Sequence, residues 1–274
     1  MENEAQAKRV WLDGMIWTRS QLQQKPSIVL ALLGAIAALA GALPLVAMSP
    51  ATAKDRPVDL ELVLAVDASA SVSEEEFDLQ VRGLAEAFRH RSVAQAIRAA
   101  GDLGLAVTLI QWANYRQYAV SVDWTLLHDP ASARQFAKQI DAVKRSVAGS
   151  TAIGGAIEIA IARLDGNRFE GRRKVVDVSG DGRNNHGSAA WRARDLAAAH
   201  GITVNGLTIL NEDPTLDRYY RSDVIGGTGA FVMTANDYRA YRLAILSKLI
   251  REINGAPTAL QRRPPGPRLT TARE

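Results

Sequence analysis

Five oxygen-bearing side chains fall in three short stretches of this 274-residue chain. Asp67, Ser69 and Ser71 lie in Asp67-Ala68-Ser69-Ala70-Ser71, Thr151 closes Gly149-Ser150-Thr151, and Asp181 sits in Ser179-Gly180-Asp181-Gly182. Hard oxygen donors suit a divalent cation such as Mg²⁺, which takes six oxygens in a near-octahedral shell and keeps some of its waters. Mn²⁺ and Ca²⁺ are the alternatives. Asp67 and Asp181 would neutralise the ion directly or through water, while three hydroxyls add donors without adding negative charge. The ion then stays electrophilic, and a remaining position attracts a carboxylate from outside. Four acidic ligands would instead hold the metal tightly and repel an acidic visitor. Taken singly, each residue has a plainer reading: Asp67 as a turn residue, Thr151 as a helix N-cap. The combination is what points to metal-mediated capture.

The elements that must position these donors follow from hydrophobic spacing. Leu60–Val66 is a nearly continuous apolar run, as expected of a parallel strand covered on both faces. Ser73 and Glu76 form a capping box ahead of Phe77, Val81, Leu84 and Phe88 at helical spacing. Leu105–Trp112 and Tyr118–Trp124 read as strands joined by a connection too short for anything but an antiparallel hairpin. Asp129-Pro130 opens a helix continued by Phe136, Ile140 and Val143. Ile153, Ile157, Ile161 and Leu164 mark the next. Strand Val175–Ser179, helix Ser188–His200, strand Ile202–Ile209, strand Ala230–Thr234 and helix Tyr238–Ile253 complete the series, with room for a short helix before the last strand. This alternation predicts an α/β fold: a doubly wound, mostly parallel six-stranded sheet with one antiparallel edge strand and helices on both faces. Ligands of such sheets bind at the carboxyl ends of the strands, where the three stretches fall.

The flanks read differently. Residues 28–46 carry no charge or strongly polar group, Arg19 and Lys25 precede them, and Ala51-Thr52-Ala53 follows as a small-x-small cleavage signature. Residues 1–53 therefore read as a secretory signal peptide, with an uncleaved inner-membrane anchor as the alternative. The expected location is periplasmic or secreted, with membrane contact only if the leader is retained. Residues 54–253 form the domain. Residues 254–274, rich in Pro and Arg, read as a disordered tail. A net charge of +4, with no basic stripe interleaved with aromatics, does not imply nucleic-acid binding. The absence of cysteine excludes disulfide scaffolds, thiolate metal sites and cysteine nucleophiles.

The Asp67-x-Ser69-x-Ser71, Thr151 and Asp181 pattern resembles the metal-ion-dependent adhesion site of von Willebrand factor A domains. The resemblance covers roughly Val58 to Ile253 and implies that the two serines and the threonine contact Mg²⁺ or its waters, with the two aspartates helping directly or from behind. The stretches VDLELVLAVDAS, DVSGDGRNNHG, GITVNGLTIL and YYRSDVIGGTGAF are similar to a bacterial exported group, domain of unknown function 1194. Members of that group often carry Pro after the SGDG turn, where this chain has Arg183. The change adds a positive charge beside the metal crest.

These readings favour a non-catalytic binding module that meets a protein ligand presenting an Asp or Glu carboxylate. Arg183, Asn184 and Asn185 are weak candidates for partner contacts; the asparagines are also suited to turns and caps. The competing class is a metal-dependent hydrolase with His186 as its base, but neither a nucleophile elbow nor a phosphate-binding loop is present. A membrane-anchored subunit working with a chaperone-like ATPase is a third reading. Asp177, inside an apolar strand, requires a hydroxyl or arginine partner near the crest. Trp112, Trp124 and Trp191 are expected in the core, and His90, His128 and His200 at the surface or at helix ends.

Overall fold

A computed structural model describes residues 56–255, so the expected leader with its cleavage signature and nearly all of the expected tail lie outside the described residues. The main sheet contains β2 (Leu60–Asp67), β3 (Leu105–Trp112), β4 (Tyr118–Leu127), β6 (Lys174–Gly180), β7 (Ile202–Ile209) and β8 (Val232–Ala235). Their order is β4-β3-β2-β6-β7-β8, with all neighbours parallel except the antiparallel β3–β4 pair at one edge. This is the expected doubly wound sheet. The three-residue strands β1 (Arg56–Val58) and β5 (Phe169–Gly171) form a small separate parallel pair that periodicity does not announce.

Alternating side chains of the parallel strands feed two cores. Leu62, Leu64, Val107 and Leu109 pack with α1 (Glu74–Arg89), α2 (Arg91–Ala100), α3 (Pro130–Asp141) and α7 (Tyr238–Asn254). Val63, Ala65, Val176 and Val178 face the other way, toward α4 (Ile153–Asp165), α5 (Ala190–Ala199) and α6 (Leu216–Tyr219), which runs on into a π-helical turn at Tyr220–Val224. The Ser73–Glu76 capping box starts α1, and Asp129 caps α3 with Pro130 in its first turn. The sequence analysis has no counterpart for α2. His90 ends α1 and accepts from the Ser92 N–H to begin α2, so one residue serves both helices.

One tryptophan expectation needs correction. Trp112 is buried and Trp124, partly buried, packs against the core, but Trp191 is 44% exposed with Arg192 against its ring. Trp191 occupies the first turn of α5, where it points out of the alanine-rich inner face formed by Ala190, Ala193 and Ala197. Among the described residues, no helix is long and apolar enough to cross a membrane.

Candidate metal centre

The carboxyl ends of β2 and β6 carry Asp67 and Gly180-Asp181, and the sheet order makes these strands neighbours. Asp67, Ser69 and Asp181 are all buried, and Thr151 is nearly so. The loop after β2 folds back on its own aspartate: the Ser69 N–H donates to Asp67 Oδ1 at 2.7 Å. Ser69 and Ser71 hydroxyls lie 3.2 Å apart, and Ser71 Oγ donates to Asp181 Oδ1 at 2.9 Å. Four of the five expected donors are therefore linked in one chain of hydrogen bonds.

Thr151 joins them from α4's approach. Its expected alternative, capping α4, is not what it does: the N-cap is Ala152, without a side-chain bond, and the Gly154 N–H is instead taken by Asn184 Oδ1 at 2.9 Å. The Thr151 hydroxyl lies against Gly182, where a side-chain carbon would sit 3.5 Å from it, and Thr151 lines the same open cleft as Ser71. No hydrogen bond among the described residues ties that hydroxyl to the other four donors.

Of the four carboxylate oxygens in the donor set, one is unused. Asp67 Oδ2 is buried and has no hydrogen-bond partner. Burial, with Asp181 close by, pushes the Asp67 carboxyl up to about 7. Both facts describe a place where negative charge lacks compensation, and a cation or one of its waters would supply it. Gly180 keeps that space open: a side-chain carbon there would lie 2.7 Å from Asp67 Oδ2 and 2.9 Å from the Tyr220 hydroxyl. Among the described residues, no cluster of three or more His, Cys, Asp or Glu forms a metal cage. The centre is a two-carboxylate, three-hydroxyl arrangement, and those residues fit a hard cation with vacant positions.

Other residues hold this constellation in place. Tyr238, in the first turn of α7, donates its hydroxyl to Asp181 Oδ2 at 2.8 Å, and its own ionisation is pushed up by burial and by that carboxylate. Arg145 clamps the β2 loop from below, with Nη2 donating to the carbonyls of Ser69 at 2.7 Å and Ala68 at 3.0 Å. Gln80 of α1 donates to the Asp67 carbonyl at 3.1 Å. Sequence reading found none of the three, because each reaches the loop from a distant segment.

The three weak partner candidates are engaged within the fold. Arg183 pairs with Asp213 at 2.7 Å, donates to Thr215 at 2.8 Å and stacks on Tyr219. Asn185 exchanges two bonds with the Thr151 backbone, accepting from its N–H at Oδ1 and donating its own N–H to its carbonyl, both at 2.9 Å. Asn184 serves α4 as described. For these asparagines, turns and caps are the structural alternative to partner contacts; in the fold they brace the start of α4, the preceding helix. His186 Nδ1 accepts from the Tyr115 N–H at 3.1 Å. Asp177 has a hydroxyl partner of the expected kind in Ser179, whose Oγ donates at 3.4 Å, but its closer partner is not of that kind: Lys248 Nζ, from α7, lies 2.5 Å away.

A family model described as "Protein of unknown function (DUF1194)" matches residues 57–257, and the chain belongs to that family. No curated protein matches it. Among solved structures it is similar to proximal thread matrix protein 1 from the mussel byssus, solved with a zinc-occupied MIDAS motif, at 18% identity and TM-score 0.50 over 72% of this chain and 46% of that one. It is similar to the pilus adhesin SpaC from Lactobacillus rhamnosus GG at 15% identity and TM-score 0.50, over 71% of this chain and 30% of that one. A von Willebrand factor type A protein from Catenulispora acidiphila matches at 14% identity and TM-score 0.50, over 71% and 43%. The chain spans less than half the length of each of these structures. What it shares with them is the von Willebrand factor A fold.

Proposed function

We propose that this domain is a non-catalytic binding module in which Asp67, Ser69, Ser71, Thr151 and Asp181 hold a divalent cation, Mg²⁺ first and Mn²⁺ or Ca²⁺ as alternatives, for capture of an Asp or Glu carboxylate on a partner protein. The observation that carries the reading is the buried, unpartnered Asp67 Oδ2 inside a cluster whose other donors are three hydroxyls and a single further carboxylate. When bound, the cation supplies an electrophilic position for one more oxygen ligand. The chain's own residues set that position up. Ser69 N–H fixes the Asp67 carboxyl, Ser71 and Tyr238 fix Asp181, and Arg145 holds the loop that carries both serines. Two proteins sharing the fold set precedents in the same direction: a zinc-occupied MIDAS motif in the mussel protein and adhesion by a pilus protein.

The hydrolase reading finds less support. His186 accepts a hydrogen bond at Nδ1, which places its proton on Nε2 and makes the free ring edge a donor rather than a base. The apolar segment at residues 28–46 favours action outside the cytoplasm, in the periplasm or beyond, or tethered to the membrane if that segment is retained.

The test is retention of envelope proteins on the immobilised protein with Mg²⁺ and with a chelator. The reading predicts bands that disappear with chelator and with Asp67→Ala. Retention unaffected by either would contradict it.

A further inference from the structure

The far end of β6 holds a second feature. Gly180 closes the strand at the candidate metal centre and Lys174 opens it, about 20 Å away at strand rise. Around Lys174 lies a cavity of about 550 Å³, bounded by the N-terminal ends of β6 and β7 and the last turn of α7. Four of its lining residues are cationic: Arg172, Arg173, Lys174 and Arg251. One is acidic, Glu252, and it is buried, with Oε1 bonded to Lys248 Nζ at 2.7 Å and to Asn205 Nδ2 at 2.9 Å.

The four cations are committed to different degrees. Arg172 pairs with Asp59 at 3.0 Å while its side chain stays 71% exposed. Arg173 closes the end of α7, donating to the carbonyls of Glu252 at 2.8 Å and Ile253 at 2.6 Å. Arg251 lies over the Phe231 ring, 3.8 Å from its centroid, which fixes the plane of the guanidinium without neutralising it. Among the described residues, neither Lys174 nor Arg251 enters an ion pair with a carboxylate. The cavity therefore gathers more positive charge than its walls compensate, and it orients one guanidinium in advance.

We propose that this cavity binds a phosphate group borne by a larger ligand. A phosphate ester carries roughly −1 as a diester to about −2 as a monoester at neutral pH, and its two or three non-bridging oxygens point in tetrahedral directions, which matches donors converging from several sides better than a planar carboxylate does. The volume exceeds that of a bare phosphate and leaves room for the group attached to it. Two sources share this chemistry: a soluble phosphate ester and the headgroup of an anionic phospholipid. The site is independent of the metal centre, at the opposite end of the same strand.

Calorimetric titration of the full chain with inorganic phosphate and with glycerol 3-phosphate tests the shared chemistry. The proposal expects saturable binding of both, weakened about tenfold or more in Arg251→Gln and in Lys174→Gln. A parallel flotation assay compares vesicles of phosphatidylcholine alone with vesicles that also contain phosphatidylglycerol. Binding that rises with phosphatidylglycerol in the wild type, and not in the variants, assigns the lipid source. Phosphate binding without that rise assigns the soluble one. Neither variant disturbs the metal centre, so Mg²⁺ titration and the melting curve serve as controls for folding. Absence of phosphate binding and of any phosphatidylglycerol effect, or equal binding by wild type and both variants, overturns the proposal.

Discussion

Two pairs of buried carboxylates, one at the ends of β2 and β6 and one between β6 and α7, are compensated in different ways. Asp177 and Glu252 receive a cation from the chain itself: Lys248 Nζ lies 2.5 Å from one and 2.7 Å from the other, wholly buried. Asp67 and Asp181 receive the Ser69 backbone N–H and the hydroxyls of Ser71 and Tyr238, but no cationic side chain among the described residues. Where the chain supplies its own ammonium, that ion offsets part of the charge and joins α7 to the middle of β6, although Asp177 Oδ2 and Glu252 Oε2 still lack hydrogen-bond partners. Where it supplies only neutral donors, beside an open cleft, no positive charge among the described residues offsets the carboxylates, as the proposed cation site requires. Buried carboxylates thus meet an ammonium in one place and neutral donors in the other, and the difference lies in the neighbours.

Removing the internal cation breaks this contrast most severely. Lys248→Met should destabilise the fold by about 3–5 kcal/mol at neutral pH, since it leaves two buried carboxylates facing each other. The matching change at the other pair, Asp67→Asn in the presence of chelator, should leave stability unchanged or raise it by about 1 kcal/mol. Urea unfolding of both variants reads the two effects. Equal losses would erase the distinction drawn between the pairs.

The pH dependence sharpens it. Burial, then repulsion from Asp177, pushes the Glu252 carboxyl up to about 7 from an ordinary value of 4.5, against the pull of Lys248. A carboxyl whose folded value is raised contributes stability that is fully present below about 4.5 and is lost as pH rises through about 7. Unfolding free energy of the wild type, minus that of Glu252→Gln, should therefore fall across that window. A difference that stays flat or rises would contradict the assignment.

A smaller effect is expected at Tyr238. Tyr238→Phe keeps the ring in the core but removes the bond to Asp181 Oδ2, and Mg²⁺ affinity should drop about tenfold, as for other groups that orient metal ligands. Calorimetry with wild type and variant, together with unchanged melting curves, checks that the loss is local.

The parts of the molecule legible in the sequence were those governed by near neighbours. Apolar runs of strand length, the Ser73–Glu76 box and Asp129-Pro130 are local signals, and the structure places strands and caps where they fall. The five oxygen donors were visible because strand ends and Gly turns mark where a doubly wound sheet binds ligands. What escaped notice depends on tertiary contacts or on weak local patterns. The strands β1 and β5 are three residues each, too short for periodicity, and α2 hides behind a single-residue break at His90. Arg145 and Tyr238 meet Ser69 and Asp181 across 76 and 57 residues of sequence. Lys248 reads as a surface lysine of a helix, since lysines are rarely buried unless paired, and nothing near Asp177 in the chain foretells that pairing.

The most direct test of the account is calorimetric titration of Mg²⁺ into the wild-type protein and into Asp67→Ala. The account predicts saturable heat with a single site for the wild type and none for the variant, with both melting cooperatively in chelator. Indistinguishable heats for the two proteins would contradict it.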